Sequence, residues 1–400
     1  MYDVLAGVRV VEVSAWLFAP SCGAILADWG ADVLKVEPAQ SGDPYRGYFP
    51  GGPVAPTIEL ANHGKRSLAV DLRTEAGREL LSTVLRDADV FVTSLLPASR
   101  KRLRIDLDDV RADNPGIIYA RATGQGTRGP DAEVGGFDLA SAWARSGIAE
   151  YLTLPGAAQP VHQPGGTGDV VGGLGLAGAV AAALYKRERT GVPSEIDSSL
   201  LHAGIWMFAV VLSMEANRDV GGVDMTRGSR SAMPNPLVNS YRTKDDRWIW
   251  MVVLQPDPHW KSFCEHIGRP ELADDERFAT FQARTAHRGE CIGELDAAFA
   301  SATLEEWRER LAGFGGVWAV CQTLPEVFAD PQVVANGYLS PIEGHAVEAR
   351  GVASPVQFDS RPLGPVRAAP AHGQHTEEIL LELGHSWADI TALKERGAIL

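Results

Sequence analysis

Short apolar segments alternate with helix-like segments along the first part of the chain. Residues 8–13 and 31–37 are rich in β-branched side chains, which is typical of buried strands. Residues 20–30 between them have a helical pattern, so the first forty residues predict a strand–helix–strand unit with parallel strands. The same alternation continues through residues 67–72, 75–88, 89–93 and 115–122. We therefore expect an α/β fold with a doubly wound, Rossmann-like sheet.

Longer apolar segments follow this alternation. Residues 170–189 read as a tightly packed buried helix, 195–197 as a further strand and 198–215 as a long apolar helix. A segment rich in Gly, Arg, Ser and Pro covers residues 221–236. Beyond it we expect a strand at 247–253, and helices at 259–267, 286–300 and 304–313.

The change of pattern predicts two domains. A large α/β domain is expected over residues 1–205, a linker over 206–224 and a small α+β domain over 225–325. Residues 326–400 are expected to form a linker and to return to the large domain, with a strand-like segment at 355–358 and a helix at 376–383.

Composition excludes several classes of protein. The net charge of −14 argues against a nucleic-acid partner. The four cysteines are scattered, which predicts neither a zinc site nor a disulfide framework. The N-terminus has no secretory pattern, and the longest apolar stretch, near 174–184, is too short for a membrane span. We expect a cytoplasmic protein with no membrane or nucleic-acid partner.

Asp169 lies in a stretch of small residues from 165 to 173. It is the only charged side chain between Glu150 and Lys186, and the glycines around it permit sharp turns and close approach of another molecule. A carboxylate within reach of a ligand can act as a nucleophile or a base. Asp is also favoured as a helix N-cap, and a helical stretch begins just after it, so a capping role stays open.

Residues 173–178 match G-x-G-x-x-G, the fingerprint of dinucleotide-binding folds. That fingerprint follows a strand and forms the turn into a helix, but residues 167–169 do not have a strand pattern. Glycines at this spacing also let a buried helix pack closely. A nicotinamide oxidoreductase is therefore the least favoured hypothesis.

Basic residues form clusters in spite of the acidic total. Lys35 is expected at the end of the second strand, with Arg46 shortly after it, and Lys65 and Arg66 follow Asn62. Cations at successive strand ends would suit the phosphates of a ligand, although each cluster alone could be a solvated helix end. The third cluster lies beyond the strand ending at residue 93 and comprises Arg100, Lys101, Arg102 and Arg104.

Several motifs occur in order along the chain. They are residues 5–12, 26–38, 42–46, 62–67 (N-x-x-K-R-S), 114–119, 136–138, 168–169, 196–201 and 373–380. Together they resemble the family III CoA-transferases, the CaiB/BaiF group, over essentially the whole chain. The resemblance implies a large domain built from both chain ends, a smaller domain between them, and a homodimer of interlocked subunits, with the chain crossing at about 205–235 and 325–345.

The resemblance also implies an activity. The chain would be an acyl-CoA:carboxylate CoA-transferase in which Asp169 is the nucleophile and forms a covalent aspartyl intermediate. Acyl-CoA and free carboxylic acids would be the substrates, and no metal and no tightly bound cofactor are expected. The predicted CoA-binding residues are Lys35, Arg46, Asn62, Lys65, Arg66, Arg100 and Arg102.

Two alternatives to transfer remain. The family contains α-methylacyl-CoA racemases, in which a histidine precedes the aspartate that corresponds to Asp138. Phe137 stands at that position and cannot exchange a proton, so a racemase or epimerase is disfavoured. Asp138 and Phe137 are kept as possible accessory residues, although Asp138 could equally be a turn former. The other alternative is a CoA-ester binding protein that has lost turnover.

The chain departs from the family pattern in three places. Residues 93–95 read Thr-Ser-Leu where E-N-F is common, and residues 228–236 stand where formyl-CoA transferases have a glycine-rich lid. Trp16, Leu17 and Phe18 are bulkier and more apolar than in that subgroup. We therefore expect a larger or more apolar acyl group than formate or oxalate.

Overall fold

The computed structural model describes residues 1–48, 52–220 and 229–400. The chain divides into two compact units, one of Met1–Asp224 with Pro331–Leu400 and one of Met225–Asp330. Both ends of the chain therefore build the first unit.

The strands of the described residues are β1 (Arg9–Val13), β2 (Asp32–Glu37), β3 (Arg66–Ala69), β4 (Val90–Thr93), β5 (Ile118–Thr123), β6 (Glu195–Ser199), β7 (Val238–Arg242), β8 (Trp248–Val252), β9 (Trp318–Val320), β10 (Leu339–Glu343), β11 (Ala349–Val352) and β12 (Val366–Arg367).

The α-helices are α1 (Phe18–Asp28), α2 (Pro56–Asn62), α3 (Glu75–Leu85), α4 (Pro97–Leu103), α5 (Leu107–Asp113), α6 (Ile148–Leu152), α7 (Thr167–Thr190), α8 (Leu200–Met207), α9 (Ala209–Ala216), α10 (Asp257–His266), α11 (Phe281–Ala286), α12 (Arg288–Phe299), α13 (Leu304–Leu311), α14 (Leu324–Ala329), α15 (Pro331–Ala335), α16 (Thr376–Glu382) and α17 (Trp387–Glu395). A π-helix spans Leu139–Ala144, and short 3₁₀ helices span Pro44–Gly47, Arg218–Val220, Arg230–Ala232 and Pro270–Ala273.

Six strands of the first unit form one parallel sheet in the order β3-β2-β1-β4-β5-β6. The order reverses between β1 and β4. In such open sheets, ligands bind outside the carboxyl ends of the strands at that reversal. The predicted α/β fold with a parallel sheet is confirmed.

Alternate residues of β1 belong to two separate cores, because successive side chains of a strand point to opposite faces. Val10 packs in one core with Leu26 of α1 and Leu176 of α7. Val11 packs in the other with Leu80 of α3 and with residues of α16 and α17. Burial of each such side chain contributes about 1.5–3 kcal/mol. The sheet is thus covered by helices on both faces.

The C-terminal segment completes the first unit beside β3. The His375 amide donates to the Ser67 carbonyl at 3.0 Å, and the Ala69 amide donates to Thr376 Oγ1 at 3.0 Å. A smaller sheet of order β11-β10-β12 lies in the same unit. The edge strand β3 is therefore not left open.

The second unit has its own core. Its three strands form an antiparallel sheet of order β7-β8-β9. Ile249 and Met251 of β8 are fully buried, and they pack with Phe263, Phe299 and Trp307 of the surrounding helices. Trp307 Nε1 donates to the Phe299 carbonyl at 2.8 Å. The alternation of buried and exposed residues along β8 is typical of a sheet with one covered face.

Two predicted elements differ in the structure. The helix predicted over 198–215 is interrupted at Phe208 (φ −106°, ψ 15°), where α8 ends and α9 begins. The strand predicted at 355–358 is wrong, because Phe358 forms only an isolated bridge with Arg361. Its ring instead packs edge-on against Tyr2 and Trp29 at 5.1 and 5.7 Å. The apolar side chain of Phe358 thus serves packing against these two rings and not the pairing of a strand.

Some predictions fall partly on residues that the structure does not describe. Residues 221–228 lie outside the described ranges. They include part of the linker expected at 206–224, part of the segment at 221–236, and Gly228, the first residue of the segment expected in place of the lid. The rest of the segment expected in place of the lid belongs to the second unit, where Arg230 Nη1 donates to Asp296 Oδ2 at 2.9 Å.

Candidate active site

Asp169 lies in the first turn of α7. Gly166 is the N-cap residue, in the left-handed region at φ +82°, and Asp169 is the third residue of the helix. The capping alternative is therefore wrong. The first backbone N–H groups of a helix lack partners within it, and its N-terminus favours negative charge. The position of Asp169 in this first turn therefore favours the charged form of its carboxyl group.

Glycines around Asp169 let α7 pack closely against other elements of the same unit. A Cβ at Gly168 would lie 2.5 Å from Ala142 Cβ of the π-helix. A Cβ at Gly172 would lie 2.5 Å from the Phe18 ring of α1. These glycines are therefore occupied by contacts within the protein, and they do not open space for a ligand.

The G-x-G-x-x-G match has the same explanation. Residues 173–178 lie inside α7, not at a turn between a strand and a helix. A Cβ at Gly173 would lie 1.9 Å from Ser21 Oγ, which fixes α7 against α1. By length and composition alone α7 could cross a membrane, but core helices pass the same test and α7 contributes buried residues to the sheet core.

Asp138 is held beside Asp169. Its Oδ1 accepts a hydrogen bond from the Leu139 amide at 2.7 Å, and its Oδ2 accepts one from Gln163 Nε2 at 2.7 Å. Both Asp138 and Gln163 are buried. Burial and the nearby Asp138 carboxylate together raise the pKa of Asp169 to about 7. Asp169 is therefore poised between its two protonation states near neutral pH.

A cavity of about 460 Å³ contains Asp169, and we call it the aspartate cavity. Among the described residues that line it, Asp169 is the one carboxylate and Arg100 is the one cation. Most of the other large side chains that line it are apolar: Trp16, Phe18, Leu96, Val134, Phe137 and Leu200.

A second cavity of about 410 Å³, which we call the crevice, lies at the carboxyl ends of β1, β2 and β3. Arg73 and Arg102 are exposed and line it. Ala15 and Leu95 line both cavities. The two cavities therefore adjoin between β1 and β4, where the strand order reverses.

The Thr-Ser-Leu segment at 93–95 joins the loops that follow β1 and β4. The Ala15 amide donates to Ser94 Oγ at 3.1 Å. Arg100 Nη1 donates to the Leu95 carbonyl at 2.8 Å. This departure from the family pattern therefore has a structural role at the border of the two cavities.

Two of the predicted CoA-binding cations are buried and paired. Lys35 Nζ lies 2.8 Å from Asp43 Oδ2 and 3.2 Å from Glu12 Oε1. Lys65 Nζ lies 2.6 Å from Glu12 Oε2 and also donates to Asn62 Oδ1 at 3.3 Å. We call these five residues the buried ion cluster. Because both lysines are buried and paired with carboxylates, the interpretation that they present charge to a ligand is wrong.

The remaining predicted cations are dispersed. Arg66 lies at the amino edge of the sheet, where it binds Asp32 and Glu382. Arg46 forms two hydrogen bonds to Glu37, at 2.8 and 2.7 Å. The prediction of three basic clusters at the carboxyl ends of successive strands is therefore wrong, because residues 65–66 lie at the beginning of β3. Of the predicted set, Arg102 lines the crevice and Arg100 the aspartate cavity.

Sequence reasoning missed Arg73 and Gln163. Arg73 follows β3 closely. Its position directly after the strand predicted at 67–72 could have indicated a cation at the carboxyl end of the sheet. Gln163 lies in an irregular segment six positions before Asp169, and nothing local in the sequence marks it. In the described part of the chain no group of His, Cys, Asp and Glu side chains could hold a metal ion.

Comparison with known proteins decides the family. The model of CoA-transferase family III matches residues 5–376. The chain belongs to CoA-transferase family III. The predicted resemblance to the CaiB/BaiF group is confirmed, and the chain is an enzyme of this transferase class.

Relatives of this family III enzyme cover it nearly end to end. It is 30% identical to (R)-2-hydroxy-4-methylpentanoate CoA-transferase of Clostridioides difficile, over 98% of each chain. It is 29% identical to cinnamoyl-CoA:phenyllactate CoA-transferase of Clostridium sporogenes, over 98% of this chain and 96% of that one. These relatives are named transferases and not racemases, in agreement with Phe137.

A solved structure shows the same fold. The crystal structure of a CaiB/BaiF family protein from Brucella suis superposes with a TM-score of 0.80 at 29% identity, covering 96% of this chain and 100% of that one.

Proposed function

We propose that this enzyme moves CoA between carboxylic acids through a covalent intermediate on Asp169. One observation carries the proposal: the cavity that holds Asp169 adjoins the crevice that holds Arg73 and Arg102. A CoA thioester lying across Ala15 and Leu95 would bring its phosphates to the arginines and its acyl group to the carboxylate. Leu95, the last residue of the Thr-Ser-Leu segment at 93–95, lines both cavities and would lie along the bound thioester.

The proposed steps balance without any other reactant. The Asp169 carboxylate attacks the thioester carbonyl, the C–S bond breaks, and a mixed anhydride and CoA thiolate form. The thiolate attacks the Asp169 carbonyl and releases the donor acid, which leaves an aspartyl–CoA thioester. An acceptor carboxylate repeats these steps in reverse and leaves as the new acyl-CoA. The overall reaction converts one CoA thioester into another of similar energy, so no ATP is consumed.

The local structure suits these steps. The first backbone N–H groups of α7 have no acceptor within the helix and would stabilise each tetrahedral oxyanion. The buried ion cluster would hold the loop after β1 in place below the reacting atoms. We assign Asp138 an accessory role through its effect on the Asp169 charge, and we assign Phe137 to the cavity wall.

The assembly is part of the proposal. We propose a cytoplasmic homodimer in which the two units act as the large and small domains, with no resident metal or cofactor. The surface of α8 and α9 supports a dimer: Trp206 and Val210 are 72% and 68% exposed, and α9 has no buried residue. Large apolar patches of this kind are usually covered by a partner. An active monomer in sedimentation would contradict the dimer.

The test of function uses a panel of acyl-CoA thioesters. The enzyme is incubated with each thioester, quenched in acid and digested, and the Asp169 peptide is analysed by mass before and after hydroxylamine. We expect a CoA adduct that hydroxylamine converts to a hydroxamate. Asp169→Ala should form no adduct, and Asp274→Ala, which changes an exposed aspartate of the second unit, should behave as wild type. Full transfer by Asp169→Ala would refute the proposal.

A further inference from the structure

The backbone of Trp16 is unusual. Its φ is +70°, in the left-handed region that bulky L-residues rarely adopt. Such a conformation persists only when the surroundings hold it, and it occurs preferentially at functional sites. Trp16 therefore merits a functional explanation.

Trp16 is held by the buried ion cluster. Its amide donates to Asp43 Oδ1 at 3.1 Å. Asp43 is buried, and its other oxygen lies 2.8 Å from Lys35 Nζ. A fully buried ion pair thus fixes the backbone that carries the Trp16 ring.

The ring of Trp16 forms part of an aromatic wall. It meets Phe137 edge-on, with centroids 5.3 Å apart, and Tyr48 edge-on at 5.9 Å. Tyr45 lies behind it at 6.1 Å. Trp16 and Phe137 line the aspartate cavity directly. Edge-to-face contacts of this kind are favourable and would extend to an aromatic ring of a ligand.

The cation among the described residues that line this cavity, Arg100, is already engaged. Arg100 Nε donates to Asp106 Oδ1 at 2.8 Å, and its Nη1 donates to the Leu95 carbonyl at 2.8 Å. A second carboxylate on an acyl group would lose its hydration here and would meet the negative charge of Asp169. The cavity therefore disfavours dicarboxylic acyl groups.

We propose that Trp16 is a specificity-determining residue of this enzyme, which selects monocarboxylic acyl groups that end in an aromatic ring or a comparable apolar group and rejects dicarboxylic ones. The inference rests on the proposed function. The volume of about 460 Å³ leaves room for such a group beside Asp169.

The test compares three donors that differ only in the tail: 3-phenylpropanoyl-CoA, propanoyl-CoA and glutaryl-CoA. The readout is the second-order rate at which each loads CoA onto Asp169, which requires no acceptor. The variants are wild type, Trp16→Gly and Trp16→Phe. Glycine suits the left-handed backbone, so Trp16→Gly should remain folded. Trp387→Ala removes an exposed tryptophan that lines neither cavity and serves as the control.

We expect wild type to load 3-phenylpropanoyl-CoA at least about tenfold faster than either other donor. Trp16→Gly should lose most of this preference, because its rate with 3-phenylpropanoyl-CoA should fall much more than its rate with propanoyl-CoA, and Trp16→Phe should restore part of it. Faster loading of glutaryl-CoA, or an unchanged preference in Trp16→Gly, would overturn the inference and leave the proposed function standing. Loading by no donor would overturn both.

Discussion

Two carboxylates near the carboxyl edge of one sheet have opposite environments. Burial alone would raise the pKa of Glu12, but Lys65 and Lys35 surround it and lower that pKa. Asp169 is enclosed in part as well, yet its charged neighbour is another carboxylate, Asp138, and its pKa is raised to about 7. The charged partners therefore decide the direction of each pKa shift: the lysines keep Glu12 ionised as a structural anchor, whereas Asp169 has no cation to lower its pKa.

The largest expected effect is on activity at the unpaired carboxylate. Asp169→Asn should lower CoA transfer by at least about 10³-fold, because an amide cannot carry the acyl group. Its free energy of unfolding at pH 8 should equal or exceed that of wild type, since a half-buried charge with an anionic neighbour is removed. Steady-state transfer assays and urea unfolding measure the two quantities. Residual activity above about one tenth, or a large loss of stability, would contradict the comparison.

Neutralising Glu12, the paired carboxylate, should change the free energy of unfolding in the opposite direction and lower it. Glu12→Gln leaves two fully buried lysines without their shared anion and should destabilise the protein by about 3–5 kcal/mol. Urea unfolding, with Glu377→Gln as a control that breaks an exposed pair with Lys394, measures the change. A change below about 1 kcal/mol would show that the cluster is not the anchor that we describe.

The pH dependence should follow Asp169. In the proposed mechanism the ionised form of Asp169 is the nucleophile, and its pKa is raised to about 7, so the rate of CoA loading should fall as pH decreases through about 7 and level off above it. Loading of one thioester measured from pH 5 to 9 gives this profile. A rate that stays constant down to pH 5 would mean that the carboxyl has an ordinary pKa in the free enzyme.

Stability should depend on the same proton. The pKa of Asp169 is about 7 in the folded state, whereas in the unfolded state the carboxyl has its ordinary pKa of 3.8. The favourable contribution of the protonated form is thus complete below about 3.8 and is lost as pH rises to about 7. The stability gained in Asp169→Asn should therefore be larger at pH 8 than at pH 4. An equal gain at both pH values would contradict this linkage.

The smallest effect is expected at Asp138. Asp138→Asn removes a negative charge while an oxygen that can accept from Gln163 Nε2 remains, so the pKa of Asp169 should fall. The acidic limb of the loading profile should move down by less than about one pH unit. Asp274→Asn, in the second unit, should leave the profile in place. A shift toward higher pH would show that Asp138 acts through position and not through charge.

The sequence predicted the sheet well because β-branched runs and glycine-bounded helices are local signals. It also marked Asp169 as a candidate site residue, since a lone charge among small residues is visible in a linear chain. The roles of Lys35 and Lys65 could not be predicted in this way. Their partners, Glu12 and Asp43, come from other elements, and only the register of β1 beside β2 brings Glu12 and Lys35 together.

The glycines near Asp169 show the same limit. Their number suggested access for a ligand, but the partners of Gly168 and Gly172 are Ala142 and Phe18, which are distant in sequence. Gln163 gave no signal at all, because its importance depends on a hydrogen bond to Asp138 across 25 positions. Local pattern predicts elements, whereas the environment of a charge depends on tertiary contacts.

One measurement tests the central claim most directly. The enzyme turns over an unlabelled acyl-CoA with an acceptor acid labelled with ¹⁸O in its carboxylate, and the Asp169 peptide is then analysed by mass. The anhydride route predicts ¹⁸O in the Asp169 carboxylate, with the Asp138 peptide unlabelled as an internal control. Formation of the new acyl-CoA with no label at Asp169 would contradict the account.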